Sequence, residues 1–124
     1  MSSMCSASAI RSHQTKSVHE LYLLAVAAYG HEPDDKEGID QVKYFKYENG
    51  KHNISVYKVY DGEVCVDYIL ETQYDAYDVD ATVSLKKINQ VKKWMKSVGF
   101  DVSDICVKVV YYHNGGCAGL CEIK

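Results

Sequence analysis

QVKYFKYENGKHNISVYKVYDGEVCVDYILE, residues 41–71, decides the fold. Tyr, Val, Ile and Phe crowd this stretch, as they do in half-buried strands. Two dipeptides interrupt it, Asn49-Gly50 and Asp61-Gly62. Both accept positive φ, so each reads as a two-residue hairpin turn. Segments 41–48, 51–60 and 63–71 then form a three-stranded antiparallel meander. Turns of this kind also set the register, with Glu48 facing Lys51 and Tyr60 facing Glu63. Counting outward, one face collects Val42, Tyr44, Tyr57, Val59, Val64, Val66, Tyr68 and Leu70, and is the expected core side. The other face sets Phe45, Tyr47, Ile54 and Val56 among Lys43, His52, Lys58, Cys65 and Asp67. That second face carries more apolar character than a solvent face should.

On the N-terminal side, Ser17 and Glu20 have the spacing of a capping box, so a helix is predicted from Ser17. Leu21, Leu24, Val26 and Ala28 continue it, apolar on most sides, and Gly30 is its left-handed stop. Residues 1–16 read as a flexible polar leader. On the C-terminal side, Glu71–Asp80 is an acidic, tyrosine-bearing connection. A second helix is predicted over 82–98, with Leu85, Ile88, Val91, Met95 and Val98 as its apolar stripe and lysines elsewhere. Gly99 stops it, and Phe100 folds back on the last turn. Ile105–His113 and Gly116–Ile123 flank Asn114-Gly115 as a last hairpin, in which Tyr112 faces Cys117 and His113 faces Gly116. The expected fold is therefore α+β in the order α-β-β-β-α-β-β. An antiparallel sheet, built of the meander and the C-terminal hairpin, carries two helices on one face, all within a single domain at 17–124.

Composition narrows the function classes. A chain of 124 residues can bury a core without metals or disulfides. Its five cysteines are an odd number, and the first eleven residues hold no signal-peptide stretch, which points to free thiols in the cytoplasm. The longest apolar run, Leu21–Tyr29, is too short to span a bilayer. The net charge of −3 is uneven: residues 31–80 hold 13 acids against 5 lysines, and 81–108 hold 6 lysines against 2 acids. A single arginine argues against a dedicated phosphate or nucleic-acid reader. Eleven tyrosines against two phenylalanines suit either sheet packing or a binding surface.

No coherent catalytic set stands out, and no cofactor or metal is expected. Gly115-Gly116-Cys117-Ala118-Gly119 has nucleophile-elbow spacing, but too few residues follow for the helix that motif needs. His113 and Cys117 fall on opposite faces of the hairpin. As strand residues, Cys117 and Cys121 lie about 13 Å apart, too far for one zinc ion. The leading expectation is thus a non-enzymatic protein-binding or inhibitor module. Its surface is Tyr74, Asp75, Tyr77, Asp78 and Asp80, extended by Phe45, Tyr47 and Ile54. The partner is another protein with a basic surface, and a homodimer through the second sheet face is also expected. Two alternatives stand beside it: a small-ligand or nucleotide-binding protein with a tyrosine-lined pocket, and a cysteine-dependent enzyme using Cys117.

Overall fold

The computed structural model describes residues 4–73, 85–113 and 116–123. Their elements are β1 (Met4–Gln14), α1 (Val18–Tyr29), β2 (Asp35–Glu37), β3 (Tyr44–Tyr47), β4 (Asn53–Lys58), β5 (Val64–Gln73), α2 (Leu85–Val98), β6 (Ile105–His113) and β7 (Gly116–Ile123). The architecture is the expected α+β class. One antiparallel sheet runs in the order β2-β3-β4-β5-β1-β6-β7. Residues of both helices join residues of one sheet face in a single core cluster.

Both helix ends follow from their capping residues. Ser17 Oγ accepts from the Glu20 N–H at 3.1 Å, and Glu20 Oε1 accepts from the Ser17 N–H at 3.3 Å. Gly30 closes α1 at φ 78°. At the end of α2, the Phe100 N–H donates to the Met95 carbonyl at 3.0 Å and the Gly99 N–H to the Lys96 carbonyl at 3.1 Å. That pair of bonds is a Schellman motif, and it seats Phe100 in the core. α1 is less deeply packed than its sequence suggests. Val18, Leu21 and Ala25 are buried along one stripe, while Leu23 is 55% exposed.

The leader is the first correction. Residues 4–14 form the strand between β5 and β6, with Ile10 paired to Tyr68 on one side and to Val107 on the other. Small and polar residues suffice there because the neighbouring strands and the turn after α2 satisfy them. Buried Ser12 donates to the Asp101 carbonyl at 2.5 Å. Gln14 pairs with the Asp101 backbone as another strand would, donating to its carbonyl at 2.9 Å and accepting from its N–H at 2.7 Å.

The second correction is the register. The pairs Tyr47↔Ile54 and Phe45↔Val56 lie two residues from the expected count, which leaves each side chain on its expected face. The β4–β5 pairs, such as Val56↔Val66 and Lys58↔Val64, lie one residue away, which reverses the faces of β5 relative to β4. The cause is the turn. The Gly62 N–H donates to the Val59 carbonyl at 2.9 Å, the Val59 N–H donates to the Glu63 carbonyl at 2.8 Å, and Gly62 has φ 88°. This is a three-residue loop with glycine in a bulge, so Asp61-Gly62 alone does not make the connection.

The core face therefore draws on both expected faces. One row runs Phe45, Val56, Val66, Ser12, Ile105, and the next runs Tyr47, Ile54, Tyr68, Ile10, Val107. Phe45, Tyr47 and Ile54 are at most 2% exposed. They hold the core beneath the helices and form no binding surface. The opposite face carries the row Lys46, Ser55, Asp67, Arg11, Cys106. This row is polar, while Tyr57 and Ile69 lie on the same face in neighbouring rows. In the C-terminal hairpin, the backbone pairs Tyr112↔Cys117 and His113↔Gly116 are those expected.

Candidate functional site

A concavity of about 560 Å³ opens between α2 and the β3–β4 loop. Such a volume lies within the range of small-ligand sites. Lys87, Gln90, Val91, Trp94 and Ser97 reach it at helical spacing along α2. Lys51 and His52 come from the loop, and Tyr68 from β5. The loop is tied down from both sides. The Glu48 N–H donates to Asp34 at 2.8 Å, and the Tyr29 hydroxyl donates to the His52 carbonyl at 2.5 Å.

Aromatic rings build the wall. His52 stacks on Trp94, with centroids 4.1 Å apart and an interplanar angle of 18°. Tyr29, Tyr68 and Phe100 meet Trp94 edge to face, at 5.8, 5.7 and 6.2 Å. Tyr29 in turn stacks on Tyr47 at 3.7 Å, and the Tyr47 hydroxyl donates to the His31 carbonyl at 2.8 Å. The rings are thus fixed by packing and by hydrogen bonds at their polar tips.

Electrostatics assign the protons. Burial, with Lys51 and Lys87 nearby, pushes the His52 imidazole below its ordinary value. Burial pushes the Tyr68 phenol up. The two groups meet at 2.6 Å between His52 Nδ1 and the Tyr68 hydroxyl. A protonated phenol donating to a neutral imidazole leaves the ring proton on Nε2. Lys51, Lys87 and Lys93 line the cavity, and among the described residues no carboxylate does.

A second polar cluster sits on the opposite sheet face. Arg11 Nε donates to Asp67 Oδ1 at 2.7 Å and Nη2 to Oδ2 at 3.0 Å, while the Tyr57 hydroxyl donates to Oδ2 at 2.7 Å. Nearby, Cys65 Sγ lies 3.7 Å from His13 Nδ1, and the same nitrogen lies 3.1 Å from Glu63 Oε2. A catalytic relay needs the two ring nitrogens to serve different partners, and here one nitrogen serves both. Cys65 is 1% exposed, and burial holds its thiol above the ordinary range. This cluster binds strands together and lacks the activated thiolate that cysteine chemistry requires.

Of the residues singled out in the sequence, Tyr74, Asp75, Tyr77, Asp78 and Asp80 lie outside the described residues. Phe45, Tyr47 and Ile54 are core; Tyr47 stacks on Tyr29 behind the aromatic wall, and Ile54 pairs with Tyr68 in the sheet. His52, Trp94, Lys51, Lys87, Gln90 and Lys93 were not singled out as a site. One signal pointed there: the chain's only tryptophan follows the lysine pair 92–93, off the apolar stripe of α2. Among the described residues no group of three or more His, Cys, Asp or Glu is placed to hold a metal ion, and no helix is long and apolar enough to cross a membrane. No protein-family model, curated protein or solved structure matches the chain.

Proposed function

We propose that the chain binds a small anionic ligand in the cavity between α2 and the β3–β4 loop. The observation that carries this reading is the placement of Lys51 and Lys93 beside the apolar wall of Trp94 and Val91. Cations draw a negative ligand, and the rigid wall receives its apolar part with little ordering cost. The neutral His52 adds a hydrogen-bonding edge without further positive charge. The test is a thermal-shift screen of the full chain against phosphorylated and carboxylated metabolites, repeated on the Lys51→Gln, Lys93→Gln variant. A ligand present at about one hundred times its Kd stabilises the native state by about 2.7 kcal/mol, which raises the melting temperature visibly. The reading requires that rise in the wild type and its loss in the variant; a flat response in both sinks it.

The charge asymmetry of the chain favours a second reading, in which the acidic 31–80 region engages a protein with a basic surface. Its test is replacement of Tyr74, Asp75, Tyr77 and Asp78 by Ala and Ser, followed by affinity capture. An unchanged set of captured proteins counts against that surface.

A further inference from the structure

We propose that the cavity takes up its anion together with a proton, and that the Tyr68–His52 pair is the switch that couples the two. This rests on the anionic-ligand reading above and adds its regulation.

Both residues line the cavity, and they share one hydrogen bond, 2.6 Å from the Tyr68 hydroxyl to His52 Nδ1. While the imidazole is neutral, the phenol is the donor and its proton is engaged by His52. A proton arriving from solvent on Nδ1 makes the ring a donor at both nitrogens. The contact then survives only in reverse, with Nδ1–H donating and the phenol oxygen accepting. The Tyr68 O–H is released and turns to another acceptor. Tyr68 is 5% exposed and lines the cavity, so an anion bound there supplies that acceptor. One proton thus adds two attractions for an anion, a positive ring and a free hydroxyl donor.

The ring keeps its place through the exchange. It stacks on Trp94 with centroids 4.1 Å apart, and the His52 carbonyl accepts from the Tyr29 hydroxyl of α1 at 2.5 Å. Neither contact requires a particular charge state, so the loop need not move. The ring itself is faced by Lys51 from its own loop, Lys87 from α2 and Tyr68 from β5. Burial and the two lysines weaken its hold on a proton. An anion beside Lys51 opposes that effect and favours the protonated ring. By linkage, the proton favours the anion by the same factor.

The test uses sulfate, which stays divalent between about pH 5 and about pH 8, the window in which histidine titrates. Trp94, the chain's sole tryptophan, lies in the cavity wall, and its fluorescence follows binding to the full chain. Sulfate is expected to bind about ten-fold more tightly at the lower pH, a coupling of ordinary size. His52→Gln cannot titrate and is expected to bind it equally at both. Tyr68→Phe keeps the ring and removes the hydroxyl; it is expected to show a smaller ratio, and an unchanged ratio overturns the Tyr68 relay. Lys51→Gln, Lys93→Gln is expected to weaken sulfate at both pH values; unchanged affinity places the ion outside the cavity and overturns the proposal. Equal affinity at both pH values in the wild type, or a dependence that His52→Gln retains, overturns the coupling and leaves the anionic-ligand reading intact. Sulfate binding at neither pH also overturns the coupling, and a flat metabolite screen beside it overturns the anionic-ligand reading too. A second measurement needs no variant. The His52 ring signals, followed by NMR in the wild type, are expected to titrate with a midpoint about one pH unit higher in saturating sulfate. A midpoint that sulfate leaves in place overturns the proposal.

Discussion

His52 shows how far one side chain's surroundings depart from what its type suggests. The groups around it are Lys51 from its own loop, Lys87 and Trp94 from α2, and Tyr68 from β5. Burial, with the charges of Lys51 and Lys87 nearby, holds the imidazole below its ordinary 6.5. The unfolded chain then binds the proton more readily than the folded one, and stability rises with pH across the window from the lowered value up to about 6.5. The contribution is complete above that window and is lost as pH falls through it. His52→Gln cannot titrate, so its urea midpoint should vary less than that of the wild type between about pH 8 and about pH 5. Equal slopes for the two proteins would show that His52 does not set the dependence. The tyrosines follow a similar logic, in which environment decides the role. The hydroxyls of Tyr22, Tyr29, Tyr47, Tyr57 and Tyr68 each have a partner inside the fold. These five hydroxyls, two on α1 and three on the sheet, are polar tips satisfied within the fold. In the sequence, that use and a binding surface looked the same.

At the level of elements, Gly62 decides which residues meet. Its φ of 88° closes a three-residue loop, and the extra residue brings Val66 and Tyr68 onto the face of Ile54 and Val56. Open space surrounds the position where a Cβ would sit, with the nearest atom, Lys58 Cε, 3.9 Å away. Gly62→Ala therefore meets only the backbone penalty and should cost about 1 kcal/mol. Gly62→Asn should cost less, because asparagine visits the left-handed region more readily. Chemical denaturation of both variants checks the order, and an alanine variant as stable as the wild type would remove the glycine's claim on the turn. The dipeptide itself could not reveal this. Asp-Gly serves the two-residue turn and the bulged three-residue turn alike, since each wants a glycine at positive φ. The helix boundaries were legible because Ser17, Glu20, Gly30 and Gly99 act on backbone groups within a few residues. Strand faces depend on a count across a turn, where one residue reverses the answer.

The whole molecule is arranged around the strand that the sequence concealed. MCSASAIRSHQ has little of the β-branched or aromatic content that marks a strand, and nothing local requires it to be one. Its conformation is imposed by ladders on both sides, along β5 and along β6. Without it, β6 and β7 lose their connection to the meander, since β1 lies between β5 and β6 in the sheet. The core would lose Ile10 from the row that also holds Ile54 and Tyr68. Arg11 would leave Asp67 without its cation, and the turn after α2 would lose both Ser12 and Gln14. The buried apolar side chain alone is worth about 2 kcal/mol, and breaking the ion pair from one side adds a similar amount even with partial exposure. Against a total domain stability of about 5–15 kcal/mol, the ladders and core lost together exceed what remains. A chain beginning at Thr15 should therefore lack a cooperative thermal transition and near-ultraviolet dichroism. Adding the missing segment as a synthetic peptide should restore part of both signals in proportion to its concentration. A truncated chain that melts cooperatively by itself would mean that residues 1–14 are dispensable, and that the sheet closes some other way. The same experiment reaches the proposed site, because Tyr68, which braces His52 and Trp94, pairs directly with Ile10. Peptide complementation should accordingly recover the Trp94 response to ligand along with the fold.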